Sequence, residues 1–437
     1  MARILRLPFD DSTVELRVPE SWQILQELAP NPLQALHDIA AALRDALEHP
    51  IGCAPLSEGD VAGKKIAMAV DDITRPTPLH RFFPVVVEHL LARGARRQDI
   101  TVVNALGIHR PMTADEVHRK LGADNLHGLR WVNHDAKDEA WLTRLGTTTR
   151  GTEVVLSKHL TDADLIICLG AIEPHLLLGF GGGLKMIVPG LAHEKTIAQN
   201  HMQGVSPSRF NYVGATTSPM RLDLEQAAQM LRKRIFIVTA VLNDKLDPAR
   251  FVCGDPVTAH RQGVETVRSI NARRVSRRAD VAIVSSSPMD ADLRQAMKCI
   301  GNVEQCVRDN GLIVGLLACR NGIGDVAMPP KALPHWVLRR LLRMLGKDRM
   351  LWFVDHVKKG AAVEERFLAH FSMQVVRKNE IYVWSRKLPP DTGKRLGLFV
   401  QFEALQTMID RATRYAPRHA TVYVFPRGGV TYPVLDG

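Results

Sequence analysis

The chain holds 437 residues, 46% of them hydrophobic and 24% charged, with a formal net charge of +11. That balance describes a globular chain too long for one core and long enough for two. No apolar run reaches the roughly 18 uncharged residues a membrane span requires, and the first residues lack the long apolar core of a secretion signal. The six cysteines, Cys53, Cys168, Cys253, Cys299, Cys306 and Cys319, show no CxxC spacing, and several sit in apolar runs where a thiol behaves as a small hydrophobe. A soluble, cytoplasmic protein with no membrane partner is expected. The basic clusters at 93–97, 273–278 and 339–347 are short and lack interleaved stacking aromatics, so they read as solvated helix faces and connections rather than a nucleic-acid surface. A positive field that gathers an anionic substrate is compatible with them.

In chain order, the apolar runs 65–70, 100–106, 129–134, 164–170 and 235–242 predict strands. Between the first two, 79–94 has helical periodicity with Gly94 as its stop. After a polar, basic connection near residue 270 the pattern restarts: strands over 279–287 and 311–319 enclose a helix from about Asp290 to Arg308. Alternating strands and helices predict an α/β fold, two domains with mainly parallel sheets. The expected division is 1–270 for the first domain and 271–411 for a smaller second one, with 412–437 returning so that the strand-like run from Thr421 pairs with the first domain's sheet.

The loops that follow these strands carry ionisable residues beside Gly or Pro. In an open parallel sheet the loops at the carboxyl ends of strands converge on one crevice, so Asp72, Arg75, His109, His175 and Lys185 are placed as neighbours. A lone histidine among 17 is usually surface or core. Here His109 ends an apolar strand ahead of Arg110 and Pro111, and His175 stands between Pro174 and a Gly-rich loop. That loop holds Gly179, Gly181, Gly182 and Gly183; it lets backbone amides approach a phosphate and is expected to lead into a helix. A Gly-rich turn without ligand is the alternative, and no Walker motif is present. Arg75, in a turn punctuated by Pro76 and Pro78, offers a carboxylate a two-pronged fork that Lys cannot imitate. His193 and Glu194 start no HExxH motif, so no three- or four-ligand zinc site is visible.

The segments DDITRPTP, LGIHRPMT, EPHLLLGFGGGLKMIVPG, TIAQNH, SPMRLDLEQAA and DLRQAMK, in this order, resemble the lactate racemase family, which uses a nickel-pincer nucleotide. The resemblance is strong over roughly residues 60 to 320 and loose at both ends. It implies two α/β domains with the cofactor and active site in the cleft between them. It also implies His109 and His175 as paired catalytic bases, His201 as the single protein ligand to nickel, and Lys185 as the cofactor-attachment lysine. Arg75, Gln295 and Lys298 would bind substrate, while Asp72, Thr74 and Gly181 to Gly183 would line the cofactor, Asp72 also orienting Arg75 or a base. The chain departs from the family in carrying Gly181 where Ser is usual, which puts covalent attachment in question, and in LPFDD where a Tyr-Gly turn is commoner, so no role passes to Phe9. Trp336, Trp352 and Trp384 are candidates for an aromatic wall, with core packing the commoner use.

The implied chemistry is inversion at a carbon bearing hydroxyl and carboxylate. That carbon's proton is too weakly acidic for a lone side chain to remove, whereas taking the hydroxyl proton while an acceptor takes the hydride gives a planar 2-keto acid. Two imidazoles suit such a site because their pKa lies near the working pH. The expected function is therefore a 2-hydroxy-acid racemase or epimerase acting by reversible hydride transfer to the nickel-pincer nucleotide, with a small 2-hydroxy acid and, transiently, cofactor-synthesis proteins as partners. Lactate, longer or aromatic hydroxy acids, malate and sugar acids all stay open as substrates, as does the oligomeric state. The alternatives are another nucleotide- or metal-dependent α/β enzyme, or a non-enzymatic carrier of the nickel cofactor.

Overall fold

The computed structural model describes residues 2–206, 209, 211–324, 326, 328, 333–345, 349, 351–352, 366 and 369–436. Gly346 and Lys347, the end of the third basic cluster, lie outside these residues. The chain divides into two compact units: Pro32–Gly204 with Gly214–Ile270, and Met1–Asn31 with Val205–Val213 and Asn271–Gly437.

The unit built on Pro32–Gly204 is organised by a six-stranded sheet. Its order is Pro248–Gly254, Arg234–Leu242, Leu165–Ala171, Ile66–Val70, Ile100–Asn104, Arg130–Asn133, parallel throughout except for the first, an antiparallel edge strand. Every residue of IAMAV (Ile66–Val70) is buried, and so are all but the last of LIICLGA (Leu165–Ala171). Strands covered on both faces need such unbroken apolar runs, which is why they were readable from sequence. Helix Phe83–Leu91 packs Val86 and Leu90 onto this sheet, and Gly94, at φ +88°, ends the segment as expected. Helix Ala114–Leu121 starts with a capping box, in which the Thr113 hydroxyl accepts the Glu116 amide and the Glu116 carboxylate accepts the Thr113 amide.

The second unit has a wholly parallel six-stranded sheet in the order Val400–Phe402, Glu380–Trp384, Val307–Leu316, Ala279–Ser285, Thr421–Phe425, Gln23–Glu27. An N-terminal hairpin, Ala2–Phe9 with Ser12–Pro19, adds the alternating residues Leu5, Leu7, Phe9, Val14, Leu16 and Val18 to its core. Two expectations change here. The strand from Thr421 belongs to this second sheet, lying between Ala279–Ser285 and Gln23–Glu27, and Tyr432–Leu435 pairs with Ala272–Val275. Helix Leu405–Tyr415 supplies the crossover that carries the chain from Val400–Phe402, at one edge, to the parallel strand Thr421–Phe425 of the same sheet. The expected helix over 290–308 is three short pieces, Leu293–Ala296, Lys298–Val303 and the 3₁₀ turn Glu304–Cys306.

Candidate active site

The loops at the carboxyl ends of Ile66–Val70, Ile100–Asn104 and Leu165–Ala171 gather the charged residues of the first unit. Asp71 and Asp72 follow Val70 directly, and both are buried. Asp72 builds a turn around itself: its Oδ1 accepts the Thr74 amide at 2.7 Å and the Thr74 hydroxyl at 2.5 Å, and its carbonyl accepts the Arg75 amide at 3.1 Å. Its Oδ2 lies 2.7 Å from His109 Nδ1. Burial pushes the Asp72 carboxyl up, but the hydrogen bond from His109 and the charge of Arg75 outweigh it and hold the group well below the usual carboxylate range. A carboxylate can only accept, so Nδ1 of His109 carries a proton and the neutral ring keeps its lone pair on Nε2. Asp72 thus orients the His109 ring, and Thr74 is engaged with Asp72.

Beneath this turn lies a buried ion pair. Asp71 takes the Thr77 hydroxyl at 2.5 Å and Lys120 Nζ at 2.8 Å, and Lys120 also donates to the Arg75 carbonyl at 2.9 Å. Burial pushes the Asp71 carboxyl up, with Lys120 opposing. Lys120 projects from helix Ala114–Leu121 and ties that helix to the Arg75 turn. Sequence reasoning passed over it because a lysine near a helix end reads as solvated. Arg75 itself donates through Nη1 to Glu173 Oε1 at 3.2 Å, so the fork expected for a substrate carboxylate already holds a carboxylate from the chain.

Glu173, Pro174 and His175 follow the strand Leu165–Ala171, and Pro174–His175 pairs with Gly179–Phe180 in a minimal hairpin. His175 Nδ1 accepts the amides of Leu177 and Leu178 at 3.3 and 3.2 Å. Its neutral ring therefore carries the proton on Nε2, the reverse of His109. The Gly-rich stretch does not enter an α-helix as expected; it enters one 3₁₀ turn, Gly183–Met186, which contains the buried Lys185. Gly182 and Gly183 have φ of +77° and +59°, a region where only glycine is comfortable. At Gly181 a Cβ would meet Glu173 Cγ at 3.2 Å, so a serine there would press on the side chain that pairs with Arg75.

His201 sits in the last turn of helix Glu194–Gln203, where its Nδ1 is 2.8 Å from the Ile197 carbonyl. That bond fixes the proton on Nδ1 and directs the ring's lone pair to Nε2, the tautomer a metal ligand needs. The preceding Asn200 is a fastener: buried, it donates to the Met220 carbonyl and, at 2.8 Å, to Asp223 Oδ2. Asp223 is fully buried and also takes the Thr148 and Thr152 hydroxyls at 2.6 and 2.8 Å. Gln295 and Lys298 belong to the other unit. Gln295 is buried with its amide on the Asp292 cap, and Lys298 begins the next short helix. Trp384 is buried against Phe9 with ring centroids 4.6 Å apart, whereas Trp336 and Trp352 are exposed. Among the described residues no group of three or more His, Cys, Asp or Glu could hold a metal ion, and no helix is long and apolar enough to cross a membrane.

Parallel strands deliver an Asp–His pair, a second histidine and a Gly-rich loop to one edge of an α/β sheet, the edge at which open parallel sheets commonly bind their ligands. The model of the lactate racemase N-terminal domain matches residues 9–212. Curated lactate racemases of Thermoanaerobacterium thermosaccharolyticum and Lactiplantibacillus plantarum are 29% and 28% identical, over 64% and 73% of this chain and 66% and 75% of their own lengths. The structure of the lactate racemase apoprotein from T. thermosaccharolyticum superposes with a TM-score of 0.82 at 23% identity, covering 99% of this chain and all of the other. A structural-genomics protein from Thermotoga maritima follows at 0.64 and 19%, covering 86% of this chain and 95% of the other. Residues 9–212 thus resemble the lactate racemase N-terminal domain, and the whole chain shares its fold with the lactate racemase apoprotein.

Proposed function

We propose that this protein is an isomerase that racemises or epimerises a 2-hydroxy acid with a nickel-pincer nucleotide. The observation that carries the reading is the Asp72–His109 pair, whose hydrogen bond leaves the imidazole a base at Nε2. The residues present fit the cofactor: His201 keeps its lone pair on Nε2, Lys185 follows a glycine loop whose amides are buried, and the chain supplies one imidazole where the cofactor brings its own donors. When bound, the nickel-pincer nucleotide supplies a reversible hydride acceptor.

The protein's own part is proton handling and orientation. His109 takes the hydroxyl proton at Nε2, and the Asp72 carboxylate stabilises the imidazolium that results. Arg75 orients the substrate carboxylate, which must share or displace Glu173 to reach both prongs of the guanidinium. His175 serves the opposite face. With Nδ1 accepting two amides, it presents an N–H to a substrate oxygen, and it becomes a base only after turning out of those amides. Gln295 and Lys298 are carried as substrate residues on the family resemblance.

The test is protein made together with the cofactor-synthesis proteins and assayed on a panel of chiral 2-hydroxy acids. Organonickel absorption, added mass at Lys185 and interconversion of at least one enantiomer pair are expected. A fully loaded sample that scrambles none of them would mark a carrier, and a sample that takes up no nickel would mark a different cofactor.

A further inference from the structure

Behind the glycine loop lie two buried groups with no part in the chemistry above. Arg221, the arginine of SPMRLDLEQAA, is almost completely enclosed on helix Pro219–Gln229, and its Nη2 donates to the Phe180 carbonyl. His260, on helix Thr258–Asn271, donates from Nε2 to the Gly181 carbonyl at 2.8 Å. In a trans peptide the N–H points opposite to the C=O of the same plane. Drawing the Phe180 carbonyl back therefore turns the Gly181 amide forward, where it meets the Glu173 carbonyl at 2.7 Å. Drawing the Gly181 carbonyl toward His260 turns the Gly182 amide away from His260. The Gly182 carbonyl takes the Lys185 amide at 3.3 Å, which in turn orients the Gly183 amide. Among the described residues neither the Gly182 nor the Gly183 amide meets an acceptor, although both residues are buried. Buried donors without acceptors are costly and rare.

The charge behind the loop points the same way. The Glu225 carboxylate, whose charge also favours the Arg221 cation, is bound directly by Arg261 Nη2 at 2.7 Å, so Arg221 makes no direct ion pair among the described residues and its buried Nε has no acceptor. Burial pushes the Arg221 guanidinium down to about 10, so it stays charged at neutral pH. His260 is held neutral by burial and by Arg221. Two buried or half-buried guanidinium groups, Arg221 and Arg261, share the single Glu225 carboxylate, and the positive charge left over favours an anion at the adjoining loop.

We propose that Arg221 and His260 are positioning residues that hold the Phe180 and Gly181 carbonyls from behind, so that the Gly182 and Gly183 amides form a seat for a phosphate group. The inference rests on the reading of this loop as cofactor-binding, but it is tested without turnover. Apoprotein labelled with ¹⁵N-glycine is titrated with inorganic phosphate. The expected result is saturable movement of the Gly182 and Gly183 amide signals, at least about tenfold weaker in R221M, which removes a charged donor of similar length. H260L is expected to weaken binding as well, and H260Q, which restores a donor at the same reach, to recover it. R221K, which keeps the charge, should fall between wild type and R221M. Circular dichroism identifies any variant that fails to fold, and the H260L and H260Q pair then decides. Phosphate that leaves both glycine signals unmoved, or binds equally to wild type, R221M and H260L, overturns the proposal. A phosphate seat in a loaded protein that interconverts no hydroxy acid would uphold this inference and refute the racemase reading.

Discussion

Replacing Asp72 by Asn separates charge from shape at the base. Asn keeps an oxygen for the Thr74 amide and hydroxyl, so the turn that presents Arg75 can persist. At the other position an NH₂ group would face His109 Nδ1 where an oxygen now lies 2.7 Å away. Two donors cannot meet, so the ring must move its proton to Nε2 and lose its basic nitrogen toward the substrate. A hydrogen bond to a charged group contributes about 1.5–3 kcal/mol, which at 1.36 kcal/mol per decade corresponds to about 10- to 150-fold. The wrong tautomer adds to this, and in Asp–His–Ser enzymes the same exchange lowers kcat by about 10⁴. A decrease in kcat of about 10² to 10⁴ is therefore expected, measured as deuterium wash-in on cofactor-loaded protein, with nickel content unchanged. Histidine ¹⁵N shifts should report the changed His109 tautomer. A kcat within about threefold of wild type, or an unmoved tautomer, would refute the assignment.

Arg75→Lys should lose substrate affinity severely, because an ammonium cannot hold Glu173 and a substrate carboxylate in one planar fork; KM raised by about tenfold or more is expected, and an unchanged KM would show the fork to be unnecessary. His201→Ala should leave the circular dichroism of the apoprotein intact, since the bond from Nδ1 to the Ile197 carbonyl lies within its own helix, while nickel retained after desalting falls to background by elemental analysis. His89 is buried beside Arg93 with its pKa lowered to about 4, burial being the larger cause. The unfolded chain takes up its proton first, near pH 6.5, so stability falls as pH drops from about 6.5 toward 4. Urea titrations of His89→Gln should show a flatter profile across that window, and an unchanged slope would remove His89 from the account. Asp72 acts lower on the scale: its folded pKa is depressed, so the stability it supplies is present above about pH 4 and is lost on further acidification. Asp72→Asn should flatten that acid limb in the same titrations.

Parallel strands buried on both faces announced themselves as unbroken apolar runs, and the two histidines and Arg75 stood out because Gly and Pro marked the loops carrying them. Partner choice was less visible. Nothing local in TVYVF says which sheet it joins, and its neighbour proved to be Gln23–Glu27, from the opposite end of the chain. The N-terminal hairpin was hidden because Ile4 and Pro8 stand on the outward face and blur the alternation that Leu5, Leu7 and Phe9 carry. Lys120, Glu173, Arg221 and His260 were missed for one reason: an ionisable residue within a helix or loop reads as solvent-facing until the fold encloses it. The serine-proline start of helix Pro219–Gln229 was a readable cap, with Ser218 accepting the Arg221 amide, but it gave no hint that the arginine side chain turns inward.

The pairing of Gln23–Glu27 with Thr421–Phe425 also bears on how the molecule is made. The strand Gln23–Glu27 must wait, with its hydrogen-bonding edge bare, until the far-downstream Thr421–Phe425 has been translated. In the meantime the whole Pro32–Gly204 unit can fold on its own contacts. The terminal unit is thus closed by a late, long-range event, the kind of step that chain length and contact separation slow most. Losing Thr421–Phe425 would strip Gln23–Glu27 of its neighbour in the sheet and leave an open edge where newly made copies could pair with one another.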